Sequence, residues 1–275
     1  MRLALGGVGL SVEPDAALSA RETAALAGLG VAAWPHAPAL SLAIVDQPPF
    51  DAPETGDAGP APADVTAHGA ALRVTHRLFR AELDPWARAG RLWRREADGT
   101  GLLITLRVAL SALLPLHGGL PLHAAGIVLD GSGLVFFGPS GAGKTTLAST
   151  ALARGLAVLS DEQVTLSVDP PRLSASGFWG ALDGPSRAAA PVPLVALVEL
   201  GRGSSFDLAP LTPDEALRRL LGVLLVPPHP ELWRSALGVV AQVTRAVPVF
   251  RLAWHPGAPP WDALRARLSP EAARA

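Results

Sequence analysis

The sequence of 275 residues contains no cysteine. This absence excludes disulfide bonds, zinc sites built on cysteine and catalysis by a thiol. The histidines other than His123 show no spacing typical of a metal site. We therefore expect no metal centre that is built from cysteine and histidine ligands.

An excess of either sign of charge is also missing, since the formal net charge is only −1. A strongly basic surface is the electrostatic signature of nucleic-acid binding, so no nucleic-acid partner is expected. Long hydrophobic runs are missing as well. The longest run, near residues 102–116, is interrupted by Arg107 and Pro115 and is too short to cross a bilayer. The glycine-rich start makes a poor signal peptide, so we expect a cytoplasmic protein without a membrane partner.

Lysine is almost absent, and the one lysine lies in a sequence that matches the phosphate-binding motif G-x-x-x-x-G-K-[ST] at every position. An apolar, β-favouring run (residues 134–137) precedes this motif, and a helical pattern (residues 146–154) follows it. A phosphate-binding loop requires this order of strand, loop and helix. The motif therefore predicts that the chain binds a nucleotide, and we expect ATP.

The chemistry of the loop follows from its residue types. Glycines let the backbone curl so that the N–H groups of residues 141–145 point at phosphate oxygens, and the helix N-terminus adds partial positive charge. Lys144 would reach the β and γ phosphates, while the Thr145 hydroxyl would coordinate Mg²⁺. The candidate nucleotide-binding residues are Gly138, Pro139, Ser140, Gly141, Ala142, Gly143, Lys144, Thr145 and Thr146.

Two domains are expected. Residues 1–98 would form a small α+β N-terminal module, with a proline-rich loop at residues 48–63 that cannot hold a helix or a central strand. Residues 99–275 would form an α/β catalytic domain with a mixed sheet. In that domain, helical spacing predicts helices over residues 102–116, 213–225 and 231–247. Apolar runs at residues 122–129 and 134–137 flank a glycine-rich turn and predict a β-hairpin that enters the loop.

Two adjacent acids follow the next predicted strand. Asp161 and Glu162 come directly after the apolar residues 156–159, at the end of the strand where open α/β sheets place ligands. They are candidates for metal binding or base catalysis, although solvated acids also end strands. His123, on an apolar strand, could equally be a satisfied core histidine.

These motifs resemble the HPr kinase/phosphorylase family, and more closely its shorter relatives, the HPr kinase-like serine kinases of modified-peptide pathways such as those of lasso peptides. The resemblance covers residues 102–254. It rests on the histidine-containing strand Leu122-His123-Ala124-Ala125-Gly126, on the loop with Ser140, and on the acids after the loop helix. The chain departs from the family in having Glu162 where aspartate is usual and in lacking a downstream Glu-Ile-Arg-Gly signature.

The resemblance implies a P-loop fold related to the carboxykinase catalytic domain and a serine of a peptide or small protein as phosphate acceptor. It implies Asp161 as the base for the serine hydroxyl, His123 near the γ phosphate, and Lys144 as the third catalytic residue. Mg²⁺ would be held by Thr145 with Asp161 or Glu162, and the protein could form a homo-oligomer. Two alternatives stay open, which are a nucleotide-gated binding or maturation module without phosphotransfer, and a carboxykinase-like kinase of a small molecule.

Overall fold

A computed structural model describes residues 1–15, 17–27, 36–45, 63–95, 97, 99–168, 171–175 and 192–268. In these residues the protein is α/β, with two mixed sheets and six helices. The chain divides into two compact units, one of Met1–His117 with Val226–Arg234 and one of Gly118–Leu225 with Ser235–Ala275. The predicted proline-rich loop lies outside the described residues, apart from Ala63.

The first unit has a seven-stranded sheet, in which the third strand of the chain runs parallel to both of its neighbours and the other pairs are antiparallel. Buried and partly exposed side chains alternate along several of its strands, because successive side chains point to opposite faces of a sheet. Its elements are β1 (Arg2–Leu5), β2 (Val8–Pro14), α1 (Ala20–Ala27), β3 (Leu40–Val45), β4 (Asp64–His68), β5 (Ala71–His76), β6 (Phe79–Asp84), β7 (Ala89–Arg94) and α2 (Thr100–Leu116). The strand order is β1-β2-β3-β7-β6-β5-β4.

Helix α2 belongs to this first unit, whereas the sequence analysis placed it at the start of the catalytic domain. The helix contacts α1, β2, β6 and β7, and Leu102, Leu106 and Leu110 are among its buried residues. The division of the chain therefore falls after His117 and not after residue 98. Apolar periodicity predicts that a helix has a buried face, but it does not identify the sheet that covers this face.

The second unit contains the strand and helix on either side of the phosphate-binding motif. Its elements are β8 (Gly119–Leu129), β9 (Ser132–Phe137), α3 (Lys144–Ala153), β10 (Ala157–Ser160), β11 (Gln163–Val168), β12 (Pro171–Ala175), β13 (Val192–Arg202), β14 (Asp207–Pro210), α4 (Pro213–Leu221), α5 (Pro230–Ala246), β15 (Val249–Trp254) and α6 (Trp261–Leu268). The first residues of α5, through Arg234, group with the first unit.

Strand β8 is shared between several partners. Its first half pairs with β11 and its second half with β9 and β10, all antiparallel. The predicted hairpin is therefore present, with β8 as the antiparallel partner directly before the loop strand. Strand β13 lies parallel to both β9 and β15 and antiparallel to β12. The pairings β8-β11-β12-β13-β9-β8 consequently form a closed circuit.

Helix α4 is shorter than the predicted helix over residues 213–225. It begins with a capping box between Thr212 and Glu215 and ends at Leu221, with Gly222 as its C-cap. The next residues pair with β8 instead, where the Val223 carbonyl accepts a hydrogen bond of 2.8 Å from the His123 amide. Pairing with a distant strand thus overrides the local helical pattern.

One buried cluster fixes the direction of the loop helix. Leu147, Ala148 and Ala151 of α3 pack in it with Trp261 and Leu264 of α6. The Trp261 indole N–H donates to the Thr150 hydroxyl at 3.1 Å, which satisfies the polar group of a buried aromatic ring. In the described part of the chain, no helix is both long and apolar enough to cross a membrane.

Candidate functional site

The phosphate-binding motif forms a tight loop between β9 and α3. All six residues of β9 are buried, and the loop begins at Gly138, directly after its last residue. A Cβ atom at Gly138 would lie 3.0 Å from the Ala142 Cβ and 3.3 Å from the Leu200 carbonyl oxygen. Gly143, the N-cap of α3, has a φ of 100°, a conformation that glycine adopts without strain. The close contact at Gly138 and the positive φ at Gly143 therefore explain why the motif needs glycine there.

The predicted orientation of the loop amides is not met at Ala142. Its N–H donates to the Pro139 carbonyl at 3.1 Å, so this group is used within the loop. The motif specifies which residues form the loop, but not which of its amides bond to each other. Helical bonding begins after Gly143, whose carbonyl accepts from the Leu147 amide at 2.8 Å.

Lys144 is folded back onto the loop. Its residue is only 7% exposed, and its Nζ donates to the Gly138 carbonyl at 3.1 Å and to the Pro139 carbonyl at 3.4 Å. Burial lowers the pKa of the Lys144 amine, and the charge of Glu162 opposes that change. The ammonium thus lies among carbonyl oxygens, with Glu162 as its charged neighbour.

Strand directions bring three separate stretches to the loop end of the sheet. Ala124 on β8 is in register with Phe137, the last residue of β9, so His123 lies at the loop end. Strand β10 also runs antiparallel to β8, and its last residue is in register with Gly126. The next two residues continue along β8, where the Glu162 carbonyl accepts from the Ala124 amide at 3.2 Å. Loop, acids and histidine therefore meet at one end of the second unit.

Asp161 is a buried carboxylate, only 3% exposed. The described residues supply its side chain with no hydrogen-bond donor and with no cation within salt-bridge distance. The turn that carries it is fixed by Ser160, whose hydroxyl accepts from the amides of Glu162 and Gln163, each at 3.1 Å. A largely buried carboxylate is normally paired or coordinates a metal, and Asp161 has neither a donor nor a cation among the described residues.

His123 and Glu162 form a pair. The His123 Nδ1 lies 3.0 Å from the Glu162 carbonyl oxygen and 3.3 Å from its carboxylate Oε1. Because a carbonyl oxygen only accepts, this contact requires the proton on Nδ1 and leaves Nε2 for another partner. The His123 side chain is 29% exposed, which distinguishes it from a fully buried core histidine.

The predicted magnesium ligands differ in their availability. The Glu162 carboxylate is within ion-pair distance of His123, whereas the Asp161 carboxylate has no partner among the described residues. Thr145 is exposed at the start of α3. Among residues 1–268 outside the gaps given above, no cluster of three or more histidine or acidic side chains could hold a metal. Mg²⁺ needs only one or two protein ligands beside phosphate oxygens and water, so Thr145 and Asp161 fit it.

Arg202 is a site residue that the sequence analysis missed. It ends β13, and its Nη2 donates to the Gly141 carbonyl of the loop at 3.2 Å. The sequence signal for it is weak, because it is one arginine between two glycines after an apolar strand. Trp254 was missed as a loop contact as well, and a Cβ atom at Gly143 would lie 3.5 Å from its ring.

Neither a scan of protein-family models nor a search of curated proteins finds a match to this chain. The resemblance to HPr kinases therefore stays a prediction that rests on the motifs.

Proposed function

We propose that this chain is an ATP-dependent kinase that transfers the γ-phosphate to a serine hydroxyl of a peptide or small protein, on a P-loop fold of the HPr kinase and carboxykinase type. The observation that carries the proposal is the position of Asp161, a buried carboxylate without a protein cation, in the same turn as a residue that interacts with Lys144. A phosphate-binding loop alone is common to many nucleotide-binding proteins. A free carboxylate beside it adds the base that phosphotransfer to a hydroxyl requires.

The residues present fit ATP and Mg²⁺. The loop and Lys144 would hold the β and γ phosphates, and Thr145 with Asp161 would hold the metal. When bound, Mg²⁺ neutralises phosphate charge and helps to align the reacting groups. Glu162 is better suited to hold His123 by Nδ1 than to bind the metal, since it already lies at 3.3 Å from that nitrogen.

The reaction needs one proton acceptor. The serine oxygen forms a bond to the γ phosphorus while the bond from that phosphorus to the β–γ bridging oxygen breaks, and ADP leaves. The serine proton passes to the Asp161 carboxylate, and His123 donates from Nε2 to a phosphate oxygen when it is protonated. Lys144 stabilises the negative charge that remains on the phosphates.

The test is a transfer assay with the full chain, Mg²⁺ and ATP labelled at the γ-phosphate, offered to serine peptides and to a metabolite pool. We expect label on a peptide serine, identified by mass spectrometry. Asp161→Asn should lower the rate by about 10²-fold or more, because it removes both the base and a charged ligand of the metal. The matched control is Asp207→Asn, at an exposed position on β14, which should keep the wild-type rate.

Each alternative leaves its own result. Bound ATP with a bound peptide but no phosphoserine would identify a nucleotide-gated module. Label in the metabolite pool alone would identify a small-molecule kinase. Either outcome contradicts the proposal, as does a wild-type rate for Asp161→Asn.

A further inference from the structure

The position of Arg202 follows from the register of two parallel strands. Glu199 on β13 is in register with Phe137, the last residue of β9. Strand β13 continues beyond this point to Arg202, while the chain after β9 turns into the loop. The end of β13 therefore runs beside the loop, and the guanidinium reaches the Gly141 carbonyl at 3.2 Å.

The peptide group between Gly141 and Ala142 is consequently held from both sides. Its carbonyl accepts from Arg202, and its N–H donates to the Pro139 carbonyl at 3.1 Å. Gly141 has a φ of 78°, and an added Cβ atom would meet nothing within 4 Å. Glycine in open space allows its flanking peptide groups to rotate easily, so these two hydrogen bonds restrain the orientation of this peptide group.

Arg202 is also free of a competing acid. In the described ranges no carboxylate lies within salt-bridge distance of its guanidinium, whereas Arg219 and Arg251 of the same unit both pair with Glu199. Arg202 is exposed, and a guanidinium has five N–H donors. The hydrogen bond that the Arg202 guanidinium makes is therefore the one to the Gly141 carbonyl of the loop.

We infer that Arg202 is a positioning residue for nucleotide binding, which keeps the Gly141 carbonyl turned toward β13. If this peptide group rotated, its carbonyl oxygen could face the bound phosphates and repel them. Arg202 would thus act through the loop and strengthen the binding of any nucleotide whose β-phosphate the loop holds. This inference rests on the proposed function only for nucleotide binding and does not depend on the phosphate acceptor.

The test measures the affinity of the full chain for ADP and for a non-hydrolysable ATP analogue, each with Mg²⁺, by titration calorimetry. Arg202→Ala should raise Kd for both ligands by the same factor, roughly tenfold, the typical effect of losing one charge-assisted hydrogen bond. Arg202→Lys, which keeps a charged donor, should recover most of the affinity. The matched control is Arg154→Ala, which removes an exposed arginine paired with Asp262 at the other end of α3, and it should bind like the wild type.

A thermal melt without nucleotide separates positioning from general stability, because Arg202→Ala should melt at the wild-type temperature. Weaker binding of the ATP analogue alone would overturn the inference, since it would place Arg202 on the γ-phosphate. Unchanged binding of both ligands, or a wild-type chain that binds neither, would overturn it too. A chain that binds ADP as expected but phosphorylates no peptide would refute the proposed kinase and leave the inference standing.

Discussion

Replacing Lys144 by methionine tests how the loop balances stability against binding. The substitution keeps an unbranched, buried side chain and removes the charge. It gives up two hydrogen bonds, to the Gly138 carbonyl at 3.1 Å and to the Pro139 carbonyl at 3.4 Å. Because the longer bond is weak, the two together are worth roughly 1.5–3 kcal/mol, the value of one good bond from a charged donor. It also removes the cost of burying an ammonium that is 7% exposed, which reaches several kcal/mol per ion. Glu162, its charged neighbour, is 36% exposed and keeps contact with water.

We therefore expect the free Lys144→Met protein to be more stable than the wild type by about 1 kcal/mol, a rise in Tm of roughly 2–4 °C. Nucleotide should reverse the order. ADP with Mg²⁺ at a hundred times Kd would stabilise the wild type by about 2.7 kcal/mol, whereas the variant should gain almost nothing. Differential scanning fluorimetry with and without ADP measures both effects.

The pH dependence of stability provides a second test of the cost of burying the Lys144 charge. Burial lowers the Lys144 pKa in the folded chain below its ordinary value of 10.5. Between these two values the unfolded chain binds more protons, so wild-type stability should rise as the pH increases through this window. At lower pH the full cost of the buried charge remains, and above 10.5 it disappears. The methionine variant should lack this rise.

Arg154→Met is the control, since this residue at the C-cap of α3 is 48% exposed. Its stability should change by less than about 0.5 kcal/mol, and its response to ADP should match the wild type. A Lys144→Met protein that melts below the wild type and still gains the full shift with ADP would refute this account of the loop.

Two further predictions concern the rest of the fold. Glu22 forms a buried ion pair with Arg94 and also accepts a hydrogen bond from the Ser19 amide. Glu22→Ala should lower the free energy of unfolding, measured in urea, by about 3–5 kcal/mol, because it leaves the Arg94 charge buried and unpaired. The double variant Glu22→Ala with Arg94→Met should lose less than the single variant, and an equal or larger loss would show that the unpaired buried charge does not cause the destabilisation. Gly138→Ala should destabilise the chain by about 1–3 kcal/mol and abolish ADP binding, because its Cβ would lie 3.0 Å from that of Ala142. Gly238 lies in α5, where an added Cβ would meet nothing within 4 Å, so Gly238→Ala should instead stabilise the chain by about 0.5–1 kcal/mol. Equal losses at both sites would contradict the steric explanation.

Features carried by neighbouring residues were predictable from the sequence. The strand, loop and helix around Lys144 and the antiparallel hairpin of β8 and β9 all agree with the structure. Each depends on periodicity, on turn residues or on a motif within a short stretch. The same holds for the position of Asp161 and Glu162 after β10, because a short apolar strand ends there.

Features that depend on distant partners were not predictable in this way. Periodicity could not show that residues after Gly222 pair with β8, because this pairing involves a strand about a hundred residues earlier. The contact between His123 and Glu162 depends on the register of β10 against β8. Arg202 reaches the loop only because β13 and β9 are parallel and end at different points. One sequence without aligned relatives contains no signal for such registers.

The burial of Lys144 also affects how the chain can be labelled chemically. The sequence has no cysteine and no tyrosine, and its only lysine side chain lies in the loop. Because the pKa of Lys144 is lowered, more of its amine is unprotonated near neutral pH than in an ordinary lysine. A phosphate in the loop would cover the small fraction that is exposed. Acylation of this single ε-amino group, followed by mass spectrometry, would therefore report occupancy of the loop even before any phosphate acceptor is known.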